Sequence, residues 1–312
     1  HPGVNVSHSR TTSRAGSCFL GIIPENLSEA EFRVNANPPG IRLNPASISE
    51  MLWNMAEGRR FKHEDLLRDR DLYFSWSHHS SFSGTDPKTV LDNINTAARE
   101  GAKTLSETSH VILTFGTAWI YCLADSGTIV ANCHKQPPTS FRRERLSVND
   151  IVSSYSRLLD GPLKGKTVIF TISPVRHLKD GFAENSLSKA ILRTAVGELV
   201  ETKSNALYFP AYEIVQDDLR DYRFYGDDML HPSSQAVNYI WEKFCGWAFA
   251  PSTFALLPRI DAIRRAVAHR PMRPGSESHK KFADKMVAEL NALRKLMPGI
   301  DFTEELHKFT SK

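Results

Sequence analysis

The segment "KTVIFTISP" (166–174) is an almost continuous apolar run that ends at a Ser-Pro pair. A short run of this kind, rich in β-branched and aromatic residues, is typical of a strand that is buried on both faces. A second such run is "HVILTFG" (110–116), and a weaker one is "NALYFPAYEIV" (205–215). Strands buried on both faces occur mainly in parallel sheets that helices cover.

Segments with helical periodicity separate these runs. Apolar residues recur at intervals of three and four in three sets, namely Ile48, Met51, Leu52 and Met55; Leu91, Ile94, Ala98, Ala102 and Leu105; and Leu187, Ile191, Leu192, Ala195 and Leu199. Strands that alternate with such helices predict an α/β fold, a three-layer α/β/α domain with a mostly parallel sheet. In such sheets, binding sites form at the carboxyl ends of the strands.

The composition changes after Trp247, where the Pro- and Arg-rich segment "PSTFALLPRIDAIRRAVAHRPMRPG" (251–275) begins. Helical periodicity returns beyond it, at Phe282, Met286, Leu290 and Leu293. We therefore expect a catalytic domain over residues 14–250 and a helical C-terminal extension over residues 251–312.

The net charge of +4 comes from that extension, since residues 251–312 hold twelve Lys and Arg against seven Asp and Glu. No nucleic-acid-binding module accompanies the excess, so a solvated amphipathic helix is expected and a nucleic-acid partner is not. No run of about 18 apolar residues occurs, so no membrane span is expected. The oligomeric state stays open.

Four scattered cysteines without a CxxC pair argue against a disulfide framework and against a zinc site. We expect neither a metal nor a cofactor. The scarcity of cysteine indicates a reducing, cytoplasmic location. The chain begins at His1 rather than Met, which leaves a removed leader open.

Two candidate nucleophiles stand side by side in "TSRAGSCFLG" (12–21), where Ser17 and Cys18 follow Gly16. A small-residue turn that leads into a helix would expose a nucleophile at the helix N-terminus. There the N–H groups lower the pKa of a thiol and stabilise an oxyanion. The alternative is that Ser17 reacts and Cys18 is a small buried hydrophobic residue.

A candidate base lies near the other end, in "YGDDMLHPSS" (225–234). Asp228 and His231 are three residues apart and precede an apolar helix. Asp228 is able to accept a hydrogen bond from one ring nitrogen of His231, which leaves the other nitrogen free to act as a base. The alternative is a surface histidine without a catalytic role.

Seven ordered segments resemble the GSCFA domain family, which we group with the SGNH/GDSL hydrolases. They are "GSCF" (16–19), "NPPGIRLNPASI" (37–48), "LTFGTAWIY" (113–121), "ANCHKQP" (131–137), "FTISPVRHLKDGFAENSLSKAIL" (170–192), "YFPAYEI" (208–214) and "DDLRDYRFYGDDMLHPS" (217–233). The resemblance covers residues 14–247. It implies an SGNH-like fold and ester chemistry, within a superfamily of esterases, lipases, carbohydrate deacetylases and acyltransferases.

The resemblance also assigns roles. The superfamily's first motif, Gly-Asp-Ser, aligns without gaps on Gly16, Ser17 and Cys18, so Cys18 takes the position of the nucleophile. The last motif, Asp-x-x-His, falls on Asp228 and His231 and completes a triad. The second motif makes the N–H of Gly40 an oxyanion donor, although a Pro-Gly turn explains the same residue.

The third motif, Gly-x-Asn-Asp, reads Gly116-Thr117-Ala118-Trp119 here and lacks the Asn that donates to the oxyanion. The candidate replacements are Thr117, Asn132 and His134, each of which also has a structural explanation. Arg176 and His177 follow a central strand and are candidates for contact with an anionic or sugar substrate. The alternative is that they are structural loop residues.

These assignments predict an acyl-ester hydrolase that forms a covalent acyl-enzyme, with an O-acylated carbohydrate or another acylated small molecule as substrate. An O-acyltransferase that modifies a polysaccharide or glycan would use the same site. A non-catalytic binding module with the SGNH fold is the alternative from a different class.

Overall fold

A computed structural model describes residues 12–16, 34–36, 40, 42–269, 276–297 and 300–310. Within these ranges the strands are β1 (Thr12–Gly16), β2 (Val34–Ala36), β3 (Leu67–Asp69), β4 (Leu72–Phe74), β5 (His110–Phe115), β6 (Trp119–Leu123), β7 (Ile129–Val130), β8 (Phe141–Arg145), β9 (Thr167–Ile172) and β10 (Ala206–Tyr208). The helices are α1 (Pro45–Ala56), α2 (Pro87–Glu107), α3 (Val148–Asp160), α4 (Gly181–Thr202), α5 (Ala211–Glu213), α6 (Ser234–Ala248), α7 (Pro251–Phe254), α8 (Leu257–Ala268), α9 (Glu277–Leu296) and α10 (Thr303–Thr310).

Five strands form a parallel sheet in the order β10-β9-β5-β1-β2. Gly16 at the end of β1 is the register partner of Thr114, and Thr114 is the partner of Thr171. The carboxyl ends of β1, β5 and β9 therefore meet at one edge of the sheet, where sites form in this class of fold.

Alternate residues of β5 and β9 belong to two different hydrophobic clusters, as the two-residue period of a strand requires. One cluster joins them to α1, α3 and α4, and it includes Met51, Leu113, Tyr155, Phe170 and Leu192. The other joins them to α6, and it includes Ile112, Ile169, Ile240 and Phe244. All six residues of β5 are buried, which explains why this strand reads as a continuous apolar run.

Polar side chains define where four of the helices begin. In each of four helices, the residue before the first turn accepts a hydrogen bond from a backbone N–H of that turn, and these caps are Asn44, Asp86, Ser147 and Ser233. Caps of this type contribute about 1 kcal/mol each. The cap at Ser233 fixes the start of α6 at Ser234, three residues after His231.

A second sheet of β7, β6 and β8 is antiparallel and lies toward solvent. In β8 the sequence "FRRER" (141–145) is almost entirely exposed. Arg143 and Arg145 pack on aromatic rings of β6, and the guanidinium of Arg143 lies 3.9 Å from the ring centroid of Trp119. Cation–π contacts of this kind stabilise a strand that has few apolar residues.

The C-terminal helices have a core of their own. Residues of α8 and α9 form it together with Met297 and Phe302, while Leu257 packs instead against the α6 cluster. The expectation of a mixed α/β fold with a parallel sheet, followed by C-terminal helices, is confirmed. None of the described helices combines the length and the apolar character that crossing a membrane requires.

Candidate active site

Asp228 and His231 lie in the loop before α6, and their side chains are hydrogen-bonded. Nδ1 of His231 lies 2.5 Å from Oδ2 of Asp228, while Oδ1 of Asp228 accepts from the N–H groups of Leu230 and His231 at 2.9 and 3.0 Å. The backbone and side-chain bonds from His231 lower the pKa of Asp228 to about 2, so the group is a carboxylate at neutral pH. When Nδ1 donates to this carboxylate, Nε2 carries the lone pair of a base. The His231 side chain is 56% exposed, so that a substrate is able to reach it.

The loop that carries the pair is attached to the segment after β9. The backbone N–H of Arg176 donates to the carbonyl of Leu230, and its Nη1 donates to the carbonyl of Met229, both at 3.4 Å. Within the loop, the N–H of Gly226 donates to the carbonyl of His231 at 2.8 Å. These bonds hold the Asp228–His231 pair at the end of a central strand.

The two candidate nucleophiles, Ser17 and Cys18, lie outside the described residues. The description of this part of the chain ends at Gly16, the last residue of β1. Their assignment stays a prediction from the sequence.

Lys189 of α4 is buried beneath the same edge of the sheet, with 2% of its surface exposed. Its Nζ donates to the carbonyl oxygens of Gly116 and Ser173, each at 2.6 Å. These carbonyls follow β5 and β9, so one side chain ties together the ends of two central strands. Burial lowers the pKa of Lys189 to about 7.

His177 is half-buried next to this lysine. Burial, followed by the positive charge of Lys189, lowers the pKa of His177 to about 4, and the charge of His231 acts in the same direction. His177 is therefore neutral at neutral pH. Its Nε2 is buried and has no hydrogen-bond partner among the residues that the structure describes.

Gly40 occupies a position that only glycine fits. Its φ is +94°, and a Cβ there would lie 2.6 Å from Cβ of His79. The segment that follows runs along the end of β5, where the carbonyl of Leu43 accepts from the N–H groups of Gly116 and Thr117 at 2.7 and 3.2 Å. Within the described part of the chain, the N–H of Gly40 has no hydrogen-bond partner, as an oxyanion donor requires.

Buried Arg42 holds the neighbouring loop in place. Its guanidinium donates to the carbonyl of Ser47 at 3.1 Å and to that of Ser77. Ser77 in turn donates to Glu50 at 2.8 Å. Arg42 thereby joins the segment after Gly40 to α1 and to the loop that contains His79.

Thr117 has both of its polar groups engaged with the protein. Its hydroxyl accepts from the N–H of Trp119 at 3.1 Å and lies 3.2 Å from the hydroxyl of Ser188, while its N–H donates to Leu43. Ser188 also accepts from the N–H of Ala118 at 2.8 Å. These contacts attach the 116–119 loop to α4.

Asn132 and His134 lie against a different loop. His134 packs at a centroid distance of 4.5 Å on Phe74, and its Nε2 lies 2.9 Å from the carbonyl oxygen of Ser75. Burial lowers its pKa. Oδ1 of Asn132 accepts from the backbone N–H of His134 at 2.8 Å, so Nδ2 of Asn132 takes no part in this bond. The contacts of His134 are with residues 74–83, whereas Arg176 and His177 adjoin the Asp228–His231 pair.

Sequence reasoning missed Lys189 and Ser188. Both lie on the buried face of α4, which also contains Leu192, Ala195, Val196 and Leu199. Lys189 is three residues before Leu192, so a lysine on the apolar face of a helix was the available signal. Among the described residues, no cluster of His, Cys, Asp and Glu is arranged to bind a metal ion.

Comparison with known families gives two matches. The GSCFA family model matches residues 12–244, and the model described as "GSCFA domain protein, C-terminal domain" matches residues 260–312. Among curated proteins, none matches the chain. Because the first match covers most of the chain and contains the Asp228–His231 pair together with the strands that surround it, this protein belongs to the GSCFA family.

Proposed function

We propose that this protein is an acyl-ester hydrolase of the SGNH type, in which Cys18 is the nucleophile, His231 the general base and Asp228 the residue that orients His231. The observation that carries the proposal is the 2.5 Å hydrogen bond between Asp228 and His231. It lies where a parallel sheet ends, and the side chain of His231 is exposed. A histidine that a carboxylate holds in this way is able to act as the general base for a nucleophile.

The fold supports the proposal. A parallel sheet with helices packed on both faces of β5 and β9 agrees with the three-layer arrangement of SGNH hydrolases. In that arrangement the nucleophile follows the first strand and the base precedes the last helix of the domain. Here Ser17 and Cys18 follow β1 in the sequence, and His231 precedes α6.

The proposed reaction has two halves. Nε2 of His231 removes the thiol proton of Cys18, and the sulfur attacks the ester carbonyl to form a tetrahedral intermediate. The intermediate collapses to a thioester, and the alcohol leaves with the proton from His231. Water, deprotonated by His231, then attacks the thioester, and its collapse releases the carboxylic acid and restores the thiol.

The oxyanion of each intermediate needs donors. The N–H of Gly40 and that of the nucleophile are the two we assign, and Asn132 is the further candidate because its Nδ2 has no partner within the described residues. Thr117 is the weaker candidate because its N–H and hydroxyl are already hydrogen-bonded.

The substrate class we propose is an O-acylated carbohydrate. The test is acetate release by the purified full chain from p-nitrophenyl acetate and from O-acetylated monosaccharides. Mass spectrometry of the trapped enzyme should find the acetyl group on the peptide that contains residues 17 and 18. Acetyl transfer to an added sugar without acetate release would make the protein a transferase.

Two reactive probes separate the enzyme from a binding module. A fluorophosphonate and iodoacetamide should label the site faster than they label free serine and free cysteine. Labelling at the free amino-acid rates, with no acetate release, would refute the proposal.

A further inference from the structure

A small cavity adjoins the Asp228–His231 loop through Arg176. Its volume is about 240 Å³, and its lining includes Arg176, Gln216, Arg220, Tyr222 and Tyr225. Sites for drug-sized molecules span roughly 300–1,000 Å³, so this cavity fits one small group or a single sugar ring.

Arg176 connects this cavity to the proposed active site. Its guanidinium lies 4.0 Å from the ring centroid of Tyr225 and 5.6 Å from that of Tyr222. The same side chain donates to the carbonyl of Met229, between Asp228 and His231 in the chain. The tyrosine rings hold the planar guanidinium of Arg176 in one orientation, so its side chain loses less conformational entropy when it binds a ligand.

Arg220 supplies a second guanidinium. It is exposed, and within the described residues neither Arg176 nor Arg220 forms an ion pair with a carboxylate. Two unpaired guanidinium groups on one cavity are suited to bidentate recognition of an anionic group.

One carboxylate lines the cavity and others lie on the same segment. Asp221 is the lining residue, and its Oδ1 accepts from the N–H of Arg223 at 2.9 Å. Asp218 accepts from the hydroxyl of Tyr239 at 2.6 Å. Asp217 is exposed on the same turn and is not among the residues that line the cavity.

The backbone of the cavity wall is irregular. Residues Ile214–Asp218 form a π-helical turn closed by a bond from the N–H of Leu219 to the carbonyl of Ile214 at 2.9 Å. Gln216 lies on this turn, and its Nε2 donates to the hydroxyl of Tyr225 at 3.2 Å. Such turns are rare and occur frequently at functional sites.

We propose that this cavity is a subsite for an anionic group on the sugar that carries the acyl ester, with Arg176 and Arg220 as its ligands. The proposal rests on the proposed function, because it places the anionic group beside the residues that would cleave the ester. A uronate carboxylate and a sugar phosphate have the chemistry that two guanidinium groups recognise. Tyr222, which is 62% exposed, offers a flat face for the sugar ring.

The test measures binding of galacturonate, glucose 6-phosphate and galactose to the full chain by calorimetry. We expect one of the two acids to bind at least tenfold more tightly than galactose, which identifies the anionic group. The Arg220→Gln variant should lose roughly tenfold or more of that affinity, as the loss of a hydrogen bond to a charged group predicts. Arg223→Gln is the matched control, because Arg223 is on the same segment, does not line the cavity and packs on Phe224.

Equal binding of the acids and galactose would overturn the subsite, as would an unchanged affinity in Arg220→Gln. Acetate release from p-nitrophenyl acetate, which carries no anionic sugar, is measured in parallel. A chain that releases acetate but does not prefer the acids retains the hydrolase and refutes the subsite. A chain that prefers the acids but releases no acetate retains the subsite and refutes the hydrolase.

Discussion

Nζ of Lys189 donates a hydrogen bond to the carbonyl oxygen of Gly116, at a distance of 2.6 Å, in the interior of the protein. A second bond of the same length goes to Ser173. A neutral amine has two N–H groups and would satisfy both carbonyls, whereas an ammonium would bury a charge and a third donor. Burial disfavours the charged form and lowers the pKa to about 7, so the amine is largely neutral in the folded chain only above that pH.

We predict that Lys189 makes the folding free energy depend on pH. Between about pH 7 and the unfolded pKa of about 10.4, the unfolded chain keeps a proton that the folded chain lacks, so stability rises with pH by at most about 1.4 kcal/mol per unit. Lys189→Met should lose this slope. Urea unfolding of both proteins across this range measures it, with the exposed Lys281→Met as control. Parallel stability curves for wild type and Lys189→Met would contradict the prediction.

The sequence predicted β5 and β9 because burial on both faces leaves a continuous apolar run, but it did not predict β1, which pairs with β5. It did not predict β8, because "FRRER" (141–145) is stabilised by rings on β6 that its own sequence does not contain. The segment 205–215 looked like one strand, but only Ala206–Tyr208 is a strand and a helix begins at Ala211. Pro210 cannot donate a ladder hydrogen bond, which explains the early end.

The candidate site, like the fold, was only partly predictable from the sequence. The pairing of Asp228 with His231 follows from local spacing and was open to sequence reasoning. The contact of His134 with Phe74, and that of Lys189 with Gly116, join residues far apart in the chain. Their spacing carries no signal, so only the folded structure identifies the partners.

We predict that Gly40→Ala destabilises the protein more than Gly58→Ala. Both glycines have positive φ, which costs an alanine about 1–2 kcal/mol. Only at Gly40 would the new Cβ also meet His79, at 2.6 Å, and overpacking adds about 1–3 kcal/mol. Nothing lies within 4 Å of the equivalent atom at Gly58. Urea unfolding compares the two variants, and equal losses of stability would show that the contact with His79 relaxes freely.

We predict that a chain ending near residue 250 keeps a reactive nucleophile. The C-terminal helices have a separate core, and no residue that we assign to catalysis lies in them. Removal of Leu257 uncovers apolar surface of α6, so solubility should fall. Probe labelling of the soluble truncated protein is the measurement. Loss of labelling in a folded, soluble sample would place part of the site in the extension.

We predict that His231→Ala abolishes turnover and that Asp228→Asn costs less. His231 transfers the proton in both halves of the proposed reaction, whereas Asp228 only orients the ring and stabilises its charge. Both side chains are exposed, so neither change should affect folding, which circular dichroism checks. Exposed His63→Ala is the control. Near-normal turnover in folded His231→Ala would exclude the triad.

The last prediction concerns which of two adjacent residues reacts. We expect Cys18→Ala to lose activity by several orders of magnitude and Ser17→Ala to retain a substantial fraction, because the gapless alignment puts Cys18 in the nucleophile position. Cys18→Ser should keep residual activity, since the same histidine is able to activate a hydroxyl. The measurement is the rate of acetate release by the three variants.

Alkylation provides an independent readout of the same residue. A thiol that His231 activates should react with iodoacetamide faster in wild type than in His231→Ala, because the thiolate is the reacting species. Cys122 and Cys245 are buried, and burial raises the pKa of both thiols, so they should contribute little to the fast phase. An inactive Ser17→Ala together with an active Cys18→Ala would reverse the assignment and make the protein a serine hydrolase whose motif is shifted by one residue.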